Sequence, residues 1–246
     1  MSRDPADANS RMTYERFLEF ERLMKGYSSS RFQPYNPAPI GLCAFALTLF
    51  VYSMYMAGAT VPVSTTPSMA MGLALFYGGL IQFLAGLFEL RIGNNFNALL
   101  FCSYAGYWFG LGALYASTFS FASGITDTSV QYKALGVFYL AWTIFTLVML
   151  IASIRTNIVL IVFFFFLLLT YILFTASYFL LWDQNLSRAG GAIGIFTAII
   201  AWYAGFASLM KKGDNSYFDL PVFGLSPKSG ADSTGDSAVE VRVQKP

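Results

Sequence analysis

Histidine is absent from this 246-residue chain, and charged residues make up only 11% of it. Loss of the imidazole removes the side chain that titrates nearest to neutral pH, which excludes a Ser-His-Asp hydrolase and a zinc enzyme of the usual kind. Cysteine is nearly absent too: Cys43 and Cys102 both lie inside apolar runs, so no disulfide framework is expected. There is no Walker phosphate loop, no dinucleotide fingerprint and no cluster with metal-ligand spacing, so neither cofactor nor metal is expected. A net charge of +2, spread over several short segments, gives no footprint for nucleic acid. The acids Glu89, Asp127 and Asp183 fall in segments expected on opposite sides of a membrane, so they do not converge on a reaction centre. The chain does not read as an enzyme.

Apolar residues fill the space that charge leaves. They make up 56% of the sequence, the mean hydropathy is +0.57, and soluble domains carry about 25% charged residues. A helix needs about 20 mostly apolar residues to cross the hydrocarbon core. Six stretches meet that need, near Pro39–Ala59, Met69–Leu90, Phe96–Ala116, Ala134–Ile154, Ile158–Leu181 and Gly190–Met210. The breaks between them carry turn chemistry, as in "TVPVSTTPS", "RIGNN" and "WDQNLSRAGG". The expected fold is therefore all-α, a six-transmembrane-helix bundle over residues 36–212. It is preceded by a polar segment, 1–35, and followed by a polar, largely disordered tail, 213–246. With no cleavable leader visible, the first span is expected to serve as the targeting signal. Lys and Arg near the span ends favour one side: Arg16, Arg22, Lys25, Arg31, Arg91, Arg155, Lys211 and Lys212 against Lys133 and Arg188. The positive-inside rule then places both termini in the cytoplasm. Within "TYERFLEFERLMKGY" (13–27), Phe17, Phe20, Leu23 and Met24 share a helical face, as expected of an amphipathic helix at the lipid surface.

Polar groups inside spans carry the functional information, because lipid cannot hydrogen-bond them. Gly78, Gln82, Ala85, Gly86 and Glu89 form one stripe of the second span. Two readings fit it: a small-residue packing face, or a wall of a wet cavity in which Gln82 offers donor and acceptor. The first span puts Gly41, Phe45, Thr48 and Tyr52 on one face, and the third puts Asn97, Tyr104, Trp108, Leu111 and Tyr115 together. Four consecutive phenylalanines, 163–166, open the fifth span, and at about 100° per residue one or two of them turn inward. In the sixth, the spacing of Gly190 with Gly194 and of Ala201 with Gly205 permits close helix contact, within the bundle or between subunits.

"NPAPIGLCAF" (36–45) resembles the signature of the acetate uptake transporter family, the GPR1/FUN34/YaaH group, with Ile40 in place of the family's leucine. "FYGGLIQFLAGLFELRIGNNF" (76–96), "SYAGYWFG" (103–110) and "SIRTN" (153–157) are similar to further family blocks in order. The resemblance covers Asn36 to about Leu220. It implies six helices, assembly as a homo-hexamer and a narrow path for monocarboxylates in each subunit. The family's constriction carries over to Phe45, Tyr104 and Phe166, or to Leu167 if the phenylalanine run slips by one residue. Asn36, Gln82 and Glu89 match motif positions and, with Thr48, are expected to line the path. The long amino-terminal segment resembles fungal members, which implies a plasma membrane.

No span centre holds Arg or Lys, and an unpaired carboxylate in hydrocarbon is prohibitive. The passing species is expected to be the neutral acid, or an anion solvated by hydroxyls and amides. Glu89 has two readings, a proton carrier that couples transport or an end-of-helix carboxylate pairing with Arg91 or Arg155. The alternatives in function are an ammonia or ammonium exporter, and a membrane sensor or scaffold that transports nothing.

Overall fold

The computed structural model describes residues 14–23, 36–116 and 124–225. Helix α1 (14–23) is short and leaves Tyr14, Phe17, Leu18, Phe20 and Leu23 exposed. The other helices are α2 (Ala38–Ala57), α3 (Ser68–Arg91), α4 (Asn95–Tyr115), α5 (Thr128–Ser153), α6 (Ile158–Phe179) and α7 (Gln184–Leu209). All six from α2 to α7 are long and apolar enough to cross a membrane.

Helix ends follow from local chemistry. Asn94, Asp127, Asn157 and Asp183 each accept a backbone N–H of the helix that follows, satisfying donors that the first turn leaves orphaned. These caps correct the expected boundaries. α5 starts at Thr128 rather than near Ala134, and α7 starts at Gln184 rather than near Gly190, because a capped polar first turn can project beyond the hydrocarbon. α2 ends at Gly58, whose φ of 66° is the left-handed geometry that glycine adopts without strain.

α2, α3, α4, α7, α6 and α5 close into a bundle. α2 packs extensively on α7 and also meets α3; α4 lies on α3; α6 bridges α7 and α5. The small residues of α7 serve the bundle itself: a Cβ on Gly191 would run into the backbone of Met56 and Ala57, and one on Gly194 would meet Ser53. The backbones of α4 and α5 stay apart, and rings fill the space. Tyr107 stacks on Phe138 at 5.8 Å and meets Trp142 at 5.3 Å; Tyr104 meets Phe145 at 5.6 Å. α3 and α5 turn apolar faces outward, including Phe83, Leu87, Phe88, Val137, Ile144 and Val148, as lipid or a second copy would require.

Two ends can be distinguished. The base carries Asn36, Arg91, Arg155 and Lys211; the mouth carries the 58–67 turn, Asp127 and Asp183. The tail expected to be disordered from residue 213 is docked on the base as far as 225. Tyr203 donates to the Pro221 carbonyl at 2.8 Å, Leu225 N–H to Thr156 O at 2.9 Å, and Ile158 N–H to Phe223 O at 3.2 Å. The remainder of the tail and most of the amino-terminal segment, including Met24 of the expected amphipathic face, lie outside the described residues.

Candidate functional site

α3 is not a regular α-helix. Phe76–Ile81 form a π-helical segment between Ser68–Leu75 and Gln82–Arg91. Such bulges occur often at functional positions because they re-aim the side chains that follow. Gly78 lies within it, against Thr48 and Trp108; an added Cβ would come within 2.7 Å of Thr48 Oγ1. One turn further, the Gln82 side chain is fully buried, and neither its carbonyl nor its amide nitrogen has a hydrogen-bond partner among the described residues. A buried amide left unpaired is destabilising by about 1–3 kcal/mol per missing bond, so this one is unusual.

Aromatic side chains cluster in the core of the same bundle. Phe45 lies 5.4 Å from the Tyr104 ring and 5.4 Å from Phe163, each edge to face, and 5.9 Å from Trp108. Tyr104 is buried and its hydroxyl bonds Thr146 Oγ1 at 2.8 Å. Leu167, one turn along α6 from Phe163, is fully buried in the same core. Phe166 is not brought to this place. It is half-buried, with its ring against Phe196 of α7 at 4.8 Å and Phe165 at 5.3 Å. Of the two alternatives for α6, the fold thus gathers Leu167, with Phe163 beside it, and turns Phe166 away.

Thr48 is buried, and its hydroxyl donates to the Ala44 carbonyl of its own helix at 2.8 Å. Toward the base, Glu89 is 1% exposed; Asn97 Nδ2 donates to Oε1 at 3.3 Å, and Oε2 has no partner among the described residues. Asn36 is exposed. Its Oδ1 accepts from Ala38 N–H at 3.2 Å and its Nδ2 donates to Ser208 O at 2.9 Å, tying the start of α2 to the end of α7. At the mouth, a cavity of about 760 Å³ is walled by Tyr115, Tyr132, Phe138, Tyr178 and Trp182, with Gln131 and Gln184 among its polar groups. Asp127, fully exposed beside it, is held below the usual carboxylate range by hydrogen bonds from Ser129, so it stays ionised near neutral pH.

The sequence does not single out Tyr139, Thr146 or Tyr171, and it leaves Phe163 as one of four phenylalanines of which one or two turn inward. Tyr139, Trp142, Thr146 and Met149 recur at helical spacing along α5, a period that could have marked the inward face. Among the described residues no three Cys, Asp or Glu side chains gather as metal ligands would. What the arrangement offers is a buried aromatic cluster in a core that also holds the uncharged hydrogen-bonding groups of Thr48, Gln82 and Thr146.

A sequence profile of the GPR1/FUN34/yaaH family matches residues 21–227. Accumulation of dyads protein 2 of Saccharomyces cerevisiae is 39% identical over 192 residues, 76% of this chain and 66% of the relative. Acetate permease A of Emericella nidulans is 36% identical over 221 residues, 85% and 72% of the two chains. Ammonia transport outward protein 2 of Saccharomyces cerevisiae is 37% identical over 191 residues. The chain thus spans about two thirds of the length of the yeast relatives it matches. Among solved structures, the bacterial acetate channel SatP superposes with a TM-score of 0.66 at 26% identity, covering 77% of this chain and 99% of that one. In sequence motif, helix number and superposition alike, this multi-pass membrane protein belongs to the GPR1/FUN34/yaaH family.

Proposed function

We propose that this protein conducts acetate and related short monocarboxylates through the bundle, past the constriction of Phe45, Tyr104 and Leu167. The observation that carries the reading is Gln82: a fully buried amide whose donor and acceptor are both unspent among the described residues, in a bundle core where the cluster of Phe45, Tyr104 and Phe163 carries no charge. Either protonation state of a carboxylic acid can use such a group, the anion accepting from Nε2 and the neutral acid also donating to Oε1. The apolar ring sets the width, and brief dewetting there keeps ions from leaking through. Asn36 positions the first helix at the base, and Thr48 lends lone pairs beside Gln82. Arg91, Arg155, Lys211 and Lys212 gather at the base, which favours the base as the cytoplasmic side of a plasma membrane, with both termini there. The names of the relatives and of SatP favour a transported acid, and the outward apolar faces of α3 and α5 suit assembly of identical subunits as a hexamer.

Uptake of labelled acetate into proteoliposomes holding the purified protein tests this. Saturable uptake above that of empty vesicles is expected; its absence from folded protein would sink the reading. The same vesicles address Glu89. If its unpartnered oxygen carries a proton, Glu89→Gln abolishes accumulation driven by an inward proton gradient while downhill uptake persists; unchanged accumulation refutes coupling through this residue. One specific observation favours ammonia or ammonium instead, the names of two yeast relatives. Ammonium flux measured in the same preparation separates the two.

A further inference from the structure

Beyond the last span, the stretch "YFDLPVFGL" (217–225) holds one charged residue, Asp219, among seven apolar or aromatic ones, a composition foreign to a loop in water. A polar turn joins it to α7. Asn215 accepts from Lys211 N–H and donates to Leu209 O, both at 2.9 Å, and Asp219 accepts from Lys212 N–H at 2.8 Å. The turn sends the chain back along the bundle. Tyr203 donates to Pro221 O at 2.8 Å, and it lies six residues before Leu209, the last residue of α7. At 1.5 Å per residue, that contact is about 9 Å in from the helix end. Tyr203 also lies between Ile199 and Phe206 on the outward stripe of α7, both of which are exposed. Farther on, Gly224 pairs with Asn157 in an antiparallel bridge. Ile158 N–H donates to Phe223 O at 3.2 Å and Leu225 N–H to Thr156 O at 2.9 Å, at the start of α6. The segment is laced across the outer base of α6 and α7.

We infer that residues 217–225 are a membrane strap, and that their partner is the boundary between headgroups and acyl chains around the bundle. Depth supports this. α7 has 26 residues and rises about 39 Å, against about 30 Å of hydrocarbon. Its ends therefore project, and Tyr203 stands close to the hydrocarbon edge. Polar satisfaction supports it as well, since lipid offers no partner to a backbone group. Pro221 has no N–H to satisfy, and its carbonyl takes the Tyr203 hydroxyl. The Phe223 carbonyl and the Leu225 N–H are bonded inward, to Ile158 and Thr156. What remains outward is apolar: Phe218, Phe223 and Leu225 are all exposed. The charged groups of the turn, Lys211, Lys212 and Asp214, lie past the end of α7, on the water side.

Phe223 points the same way. Its φ of 52° lies in the left-handed region, which a bulky side chain enters at a cost. In that geometry the carbonyl meets Ile158 while the ring stays 61% exposed, so packing within the protein offsets little of the strain. An aromatic ring is favourably placed at the lipid boundary, which supplies the offset. The strap holds whatever solute the bundle conducts.

Nitroxide accessibility tests this in phosphatidylcholine proteoliposomes of the full chain carrying Cys43→Ala and Cys102→Ala. Labels on Phe223→Cys and on Leu225→Cys are expected to relax more with oxygen, which partitions into acyl chains, than with a water-soluble nickel chelate present on both sides. A label on Lys212→Cys should show the reverse. Stronger relaxation by nickel at 223 and 225 leaves the segment in water and overturns the strap. Weak relaxation by both agents seats the side chains against protein, such as a second copy of this chain, and overturns it too. Phe223→Trp keeps the native cysteines and a large ring, so it answers the same question if the cysteine-free chain does not fold. Its emission in excess of wild type should be blue-shifted from that of indole in water and quenched by lipids brominated near the headgroup. Excess emission at the wavelength of hydrated indole, unquenched by those lipids, overturns the inference.

Discussion

Phe166 and Leu167 are separated by about 100° of helical rotation, which puts one ring against Phe196 on the flank of α6 and seals the other side chain in the core. On the proposed path past Phe45 and Tyr104, only the second can set the width. Leu167→Ala is therefore expected to admit lactate and propionate several-fold better relative to acetate, read as competition against labelled acetate. Phe166→Ala should leave that ranking intact and cost about 1–3 kcal/mol of stability through lost packing. A ranking altered by Phe166→Ala and untouched by Leu167→Ala would reverse the assignment. Residues of this kind mark the limit of what the sequence can tell. Gln82 and Glu89 were legible because a polar group in an apolar helix must be explained. The run 158–169 is apolar at every position, so nothing in it says which side faces inward. Its orientation is decided by the contacts of Phe163 with Phe45 and of Phe166 with Phe196.

Among the elements, α3 carries the largest departure from what its residues suggest. Hydropathy gives its length, but the π-helical segment Phe76–Ile81 has no signature in composition; Gly78 and Gly79 permit it without announcing it. The extra residue per turn shifts the register of everything after it, and Gln82 is the first side chain beyond the shift. Gly78 fixes how near α3 comes to α2 and α4, since an added Cβ would meet Thr48 Oγ1 at 2.7 Å and Trp108 Cδ1 at 2.8 Å. Both contacts are too short to keep, and Thr48 is held by its bond to Ala44. Gly78→Ala is expected to destabilise the protein by about 1–3 kcal/mol through overpacking, visible as a lower melting temperature in detergent, and to slow acetate uptake by displacing Trp108. By contrast Gly72, whose added Cβ would meet nothing within 4 Å, should accept alanine with no loss. Equal melting temperatures for the two variants would show that the close approach at Gly78 is not what the fold depends on.

For the whole molecule, the two ends of the bundle differ in the charge of their helix starts. At the base, α4 and α6 begin with Asn94 and Asn157, whose neutral amide oxygens cap backbone N–H groups, and Asn36, two residues ahead of α2, accepts from the Ala38 N–H. At the mouth, α5 and α7 begin with Asp127 and Asp183, which make the same bonds with a negative charge. The helix starts at the base thus carry neutral caps, where Arg91, Arg155, Lys211 and Lys212 also lie, while two at the mouth are capped by carboxylates. This polarity agrees in direction with the Lys and Arg count, and it gives the orientation a test independent of transport. Lys133, near the mouth, and Lys212, at the base, are both exposed. In intact cells a membrane-impermeant maleimide should label Lys133→Cys and leave Lys212→Cys unlabelled until the membrane is permeabilised. The unsubstituted protein sets the background from Cys43 and Cys102, which are half-buried within spans. The opposite pattern would put the Asn-capped, basic end outside, where it would gather anions from the medium rather than from the cytoplasm.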